Sequence, residues 1–234
     1  MEHQETIRVL GDSAAYTNAD AKRHHNFNRI FQGLGGFSLI TAGILSGLAL
    51  SFRPDASVPG NILLASWYPV HIALLIGFSL SVLGIIGIFS FLKHEVTPLN
   101  QVAYFVGMIG SVWSVSIIVI EIFVLPGIYA QTKIEMPMMD MMAIGTSLEA
   151  LKPFFFAAVS VWMLGWVLIG IALVMSDKLP KYVGFMMIGS ILLMAGVPMI
   201  VGTVSGMLHV IFSLIFGASW VLVGNCIRKY EVPF

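Results

Sequence analysis

Six long apolar runs govern what this chain can fold into: about 30–52, 63–92, 100–128, 151–176, 181–203 and 205–227. An α-helix needs roughly 20 mostly apolar residues to cross the hydrocarbon core of a bilayer, and each run supplies about that. The runs are continuous rather than alternating, which excludes a transmembrane β-barrel. The sequence therefore predicts an all-α integral membrane protein whose six transmembrane helices occupy residues 30–227. A polar tail covers 1–29 and a short one 228–234. Composition agrees. The hydrophobic fraction is 58% and only 10% of residues are charged, against about 25% charged in a soluble domain.

The bilayer is thus the first expected partner. A formal net charge of zero argues against nucleic acid. The single cysteine, Cys226, excludes an internal disulfide, a CxxC redox pair and a Cys-rich metal or iron–sulfur site. The polar start, ending in "NADAKRHHNFNR", lacks the basic stub, short apolar run and small-residue cleavage site of a signal peptide, so a cytosolic tail is expected. Neither MEHQ at the start nor EVPF at the end is a lipidation signal.

Lys and Arg set the orientation. With the N-terminus in the cytosol, the inner side receives Arg8, Lys22, Arg23, Arg29, Lys93, Lys178, Lys181, Arg228 and Lys229. The outer side receives only Arg53, Lys133 and Lys152. Both termini are expected to be cytoplasmic. Two segments echo one another, "GIIGIFSFLKHEVTPLNQVAYFVGMIGS" and "VLIGIALVMSDKLPKYVGFMMIGS", and "SWVLVGNCI" resembles "GWVLIGIAL". A two-helix unit repeated three times would produce these echoes. Gly43 and Gly47, and Ser213, Gly217 and Gly224, recur at helical spacing and would let helices approach closely.

Three ionisable residues lie well inside apolar runs: His71, Glu121 and His209. At 1.5 Å per residue they fall roughly 9, 10 and 10 Å to the outer side of their span centres. All three therefore lie at one level in the outer leaflet. Glu121 shares a helical face with Ile117, Ser114 and Gly110, and His209 shares one with Gly202, Ser205, Gly206, Ser213, Trp220 and Gly224. The first stripe is small and polar, and both are expected to be interior faces. His71 shares a face with Trp67 and Tyr68, which also suit the headgroup level. Pro126 and Pro198 each leave the carbonyl four residues earlier, Ile122 and Met194, without its helical donor.

A carboxylate at that depth costs at least about 2.5 kcal/mol unless it pairs, binds something or stays protonated. His71, Glu121 and His209 together match a two-His, one-carboxylate metal set, so a metal ion or metal cofactor is the expected ligand. Two histidines at one depth could also hold a haem, although only the last helix carries the packed small residues such a site uses. A carboxylate beside histidines on a broken helix could instead relay protons in a carrier of a small solute. Each residue could equally serve as a structural hydrogen-bonding group. The longest link, 129–150, carries Met136, Met138, Met139, Met141 and Met142 around Glu135 and Asp140. Thioethers suit copper(I), but methionine is also a flexible packing residue. No zinc-protease, P-loop, dinucleotide or nucleophile-elbow motif is present, so no catalytic residue is assigned.

"HIALLIGFSLSVLGIIGIF", "EIFVLPGIYA", "GWVLIGIALVMSDKLPKYVGFMMIGS" and "GASWVLVGNCI" resemble a widespread group of small bacterial polytopic membrane proteins without an assigned activity. The resemblance spans residues 63–227 and implies a bacterial cytoplasmic membrane. The functional expectation is a small membrane protein binding a metal ion or metal cofactor in an outer-leaflet pocket, alone, as a homo-oligomer or as a subunit of a membrane complex. The alternatives are a proton-coupled carrier and an accessory helix-packing subunit.

Overall fold

The computed structural model describes residues 29–55, 58, 60–92, 97–132, 149–197 and 206–230. Among them the chain is helical, without strands. Helix α1 is Arg29–Ser51, α2 is Trp67–Leu92 and α3 is Pro98–Phe123. A break at Val124 separates α3 from a short α4, Leu125–Thr132. Then come α5, Leu151–Met175, α6, Lys181–Ile191, and α7, Gly206–Lys229.

Among the described residues, five helices are long and apolar enough to cross a membrane, and the sixth apolar helix, Lys181–Gly196, is shorter. The multi-pass, all-α expectation therefore holds at that level. Its boundaries shift in two places. The second span begins at Trp67, because Asn61–Leu63 forms a separate 3-10 turn entered through Gly60 at φ 84. The third is interrupted at Val124, two residues before Pro126, whose ring cannot donate to the preceding turn.

The helices form a ring in chain order. Helix α1 lies between α2 and α7, antiparallel to both. Gly35 meets Gly87 and Leu39 meets Gly84 on one side, while Gly36 meets Gly224 and Gly43 meets Gly217 on the other. A Cβ on Gly110 would lie 2.5 Å from the Cα of Trp162, and one on Gly165 equally close to the Cα of Gly107. Backbone contact of this kind, where lipid supplies no hydrophobic drive between helices, rests on packing and on interhelical polar bonds. Two such bonds are Ser190 Oγ to Ser219 Oγ at 2.9 Å and Gln32 Nε2 to the Ile227 carbonyl at 2.8 Å.

The axis of the ring is filled by aromatic side chains. Phe78, Trp162, Trp166, Phe216 and Trp220 stack with centroid separations of 4.6 to 6.0 Å. Large apolar side chains such as Leu34, Phe105 and Phe185 cover the outside, as lipid contact requires. At the end that carries Arg29 and Tyr230, the Lys178 ammonium donates to the Phe91 carbonyl at 2.9 Å. The candidate site lies at the opposite end.

Candidate functional site

Glu121 sits in the last turn of α3 and is 4% exposed. Its neighbours explain how the fold tolerates it. Arg53, two residues beyond α1, donates from Nη2 to Glu121 Oε1 at 2.6 Å. His71 on α2, fully buried, places Nε2 3.3 Å from Glu121 Oε2. That contact is within ion-pair reach, yet Nε2 is not aligned as a hydrogen bond to any group among the described residues. The other ring nitrogen, Nδ1, lies 2.7 Å from the Trp67 carbonyl. A carbonyl only accepts, so Nδ1 carries a proton.

Trp67 braces this cluster. Its ring stacks on His71 with centroids 3.9 Å apart, and its Nε1–H donates to the main-chain carbonyl of Glu121 at 2.9 Å. In an unbroken helix that carbonyl would be served from within the same helix. At the end of α3 a side chain of α2 serves it instead. Ile62 of the 3-10 turn, Leu125 and Tyr129 of α4, and Phe155 of α5 pack around Trp67.

His209, at the start of α7, is engaged elsewhere. Its Nε2 donates to the Leu50 carbonyl at 3.0 Å, and its own carbonyl accepts from Ser213 at 2.8 Å. The structure thus joins His71 and Glu121 but adds Arg53, not His209, as the third partner. Among the described residues no group of three His, Cys, Asp or Glu side chains could hold a metal ion. The three-ligand set is not assembled, because one Glu121 oxygen already accepts from a guanidinium and His209 closes the end of α1. Of the paired histidines, His209 bonds the Leu50 carbonyl through Nε2, while His71 bonds the Trp67 carbonyl through Nδ1 and turns its Nε2 to the Glu121 side. Met136, Met138, Met139, Met141 and Met142 lie outside the described residues, as do Pro198, Gly202 and Ser205.

Beside the ion cluster is a cleft with a volume of about 400 Å³, inside the range of roughly 300–1,000 Å³ usual for small-molecule sites. Leu50 and Arg53 line it from the end of α1, Leu74 and Phe78 from α2, and Ser114, Ile117, Ile118 and Glu121 from α3. Helix α5 adds Phe155, Phe156, Val159 and Trp162. Phe78 and Trp162 also belong to the aromatic stack, so the stack closes the cleft on that side. The remaining wall is Met194 and Ala195, and here α6 continues as a π-helical turn, Leu192–Gly196, with the Val197 N–H bonded to the Leu192 carbonyl. Single π-helical turns are rare and concentrate at functional sites.

Two buried donors on residues that line the cleft, Arg53 Nε and Trp162 Nε1, lack partners among the described residues. The sequence reading missed Arg53, counting it only as an outer-side charge. The signal was available. A carboxylate at depth requires a counter-charge, and Arg53 is the basic residue nearest the same end of α1. Comparison with protein-family models, with curated proteins and with solved structures gives no match.

Proposed function

We propose that the chain is a multi-pass membrane protein that holds a small, mainly apolar molecule with a hydrogen-bond-accepting end in the cleft between α1, α2, α3, α5 and the π-turn of α6. In this reading the cleft opens toward the outer leaflet, following the Lys and Arg bias. The bacterial cytoplasmic membrane follows from the resemblance of residues 63–227. The observation that carries it is the cleft's composition: apolar walls that include Arg53 and Trp162, each of which holds a buried N–H donor without a partner among the described residues. A site whose free polar groups are donors selects a ligand that accepts.

The reading replaces a metal ion with an organic ligand, because Glu121 is already held by Arg53. Its test is direct. The protein in lipid nanodiscs should bind 4-phenylbutanol saturably, measured by calorimetry against protein-free nanodiscs. Val159→Trp, which fills the cleft wall, should abolish the saturable component. Saturable binding unchanged in Val159→Trp sinks the proposal.

A carrier built on the same cleft is the second reading, favoured by two helix interruptions flanking it, at Val124 and at Leu192–Gly196. Discontinuous helices frame the binding sites of many carriers. It requires solute flux in proteoliposomes that Glu121→Gln reduces; equal flux in both would remove it.

A further inference from the structure

We infer that the Arg53–Glu121–His71 cluster is a proton-coupled anion site: the cleft takes an apolar monocarboxylic acid as its anion, and one proton enters between His71 and Glu121 as it binds. This rests on the cleft-binding reading above and names its ligand class.

The first observation is the state of Arg53. A guanidinium has five N–H donors in a planar fork. Arg53 commits Nη2 to Glu121, while its buried Nε has no partner among the described residues. A carboxylate is the acceptor that fits such a fork, and apolar side chains, including Leu74, Phe155 and Trp162, line the rest of the cleft.

The second observation is the charge balance. Arg53 and Glu121 compensate each other. His71 holds its proton on Nδ1, fixed by the Trp67 carbonyl. In the neutral ring Nε2 then carries no proton, and it lies 3.3 Å from Glu121 Oε2 without hydrogen-bond alignment. The cluster in this form is neutral. An anion added at Arg53 would leave a buried negative charge, and buried unpaired charge is strongly disfavoured. One proton placed between Nε2 and Oε2 cancels it and turns an unaligned contact into a charge-assisted hydrogen bond.

The step balances. One carboxylate and one proton enter, Nε2 and Oε2 share the proton, no covalent bond to carbon changes, and the site stays neutral. Few other groups compete for that proton on the described elements around the cluster. Helix α2 offers Tyr68, which is half exposed; α4 offers the buried Tyr129; the loop after α1 holds Asp55. Glu149 and Lys152 stand at the start of α5, the π-turn carries no titratable side chain, and His209 of α7 is bonded to Leu50.

The experiment uses the whole chain in nanodiscs, with 4-phenylbutyrate as the anion and 4-phenylbutanol as its neutral counterpart. Calorimetry at neutral pH in two buffers of different ionisation heat counts protons. The expected result is about one proton taken up per anion and about none per alcohol, since only the anion adds charge. Arg53→Gln should weaken the anion at least about tenfold and the alcohol by a clearly smaller factor, since only the anion loses its counter-charge, and Arg53→Lys should fall between. A proton count near zero for bound anion overturns the inference, as does alcohol binding without anion binding. If neither probe binds, the cleft reading fails too and takes this one with it. The proton count on the unaltered protein needs no variant to fold.

Discussion

Glu121→Gln isolates what the buried charge contributes to stability. The amide keeps the shape of the carboxylate. Its oxygen can still accept from Arg53, and its NH₂ can donate to the His71 Nε2 lone pair. What disappears is the negative charge opposite a guanidinium whose side chain is only 28% exposed. At a charge separation of about 4 Å and an effective dielectric near 20, the lost attraction is about 4 kcal/mol. Glutamine is cheaper than glutamate to bury, which offsets part of this, and the exposed part of Arg53 is screened. The net cost should fall near the value of a hydrogen bond to a charged group, about 1.5–3 kcal/mol. Equilibrium unfolding in mixed micelles, followed by tryptophan fluorescence, measures it. Arg53→Gln and the double variant complete a cycle. Because both singles remove the same charge pair, the double should cost at least about 1 kcal/mol less than their sum. Additivity within about 0.3–0.5 kcal/mol would mean that the pair does not couple and that the account of how Glu121 is tolerated is wrong.

Two further outcomes follow from the same geometry. Trp67→Phe keeps an aromatic ring over His71 but removes the donor to the Glu121 carbonyl; a loss of about 1–3 kcal/mol is expected in the same unfolding assay, and no loss would show that water or another group serves that carbonyl. Gly110→Ala puts a Cβ 2.5 Å from the Trp162 Cα, so α3 and α5 must separate at a cost of about 1–3 kcal/mol, whereas Gly33→Ala, with nothing within 4 Å, should be neutral or stabilising by up to about 1 kcal/mol; equal effects at the two sites would remove close backbone packing as the organising contact.

The number of apolar helices and the shared level of His71 and Glu121 were legible, because both depend on local quantities: apolar run length and a fixed rise per residue. The faces were legible for the same reason. Gly110, Ser114, Ile117 and Glu121 are all buried, and Gly43 and Gly47 do meet Gly217. Equal depth, however, says nothing about position around the ring. His209 lies on α7, where it meets the end of α1 and its donor goes to Leu50. Glu121 lies on α3, between α2 and α5. Which depth-matched residues touch is decided by the order of helices around the ring, and a hydropathy pattern does not encode that order.

The same limit hid Arg53. It follows an apolar helix by two residues and reads as a solvated flanking charge. From there its guanidinium reaches the carboxylate of α3, at the end where Ile62 of the 3-10 turn packs against Trp67. A flanking cation is thereby converted into the counter-charge of an intramembrane acid. The π-turn shows a related point. Its sequence, "LLMAG", is ordinary for a span, but Pro198 lies just beyond it and cannot donate an N–H. The hydrogen-bonding register changes at Leu192–Gly196, where Met194 and Ala195 line the cleft. Arg53 beyond the end of α1, Glu121 in the last turn of α3 and the π-turn of α6 together border the cleft, so its polar corner lies where regular helices end or change register.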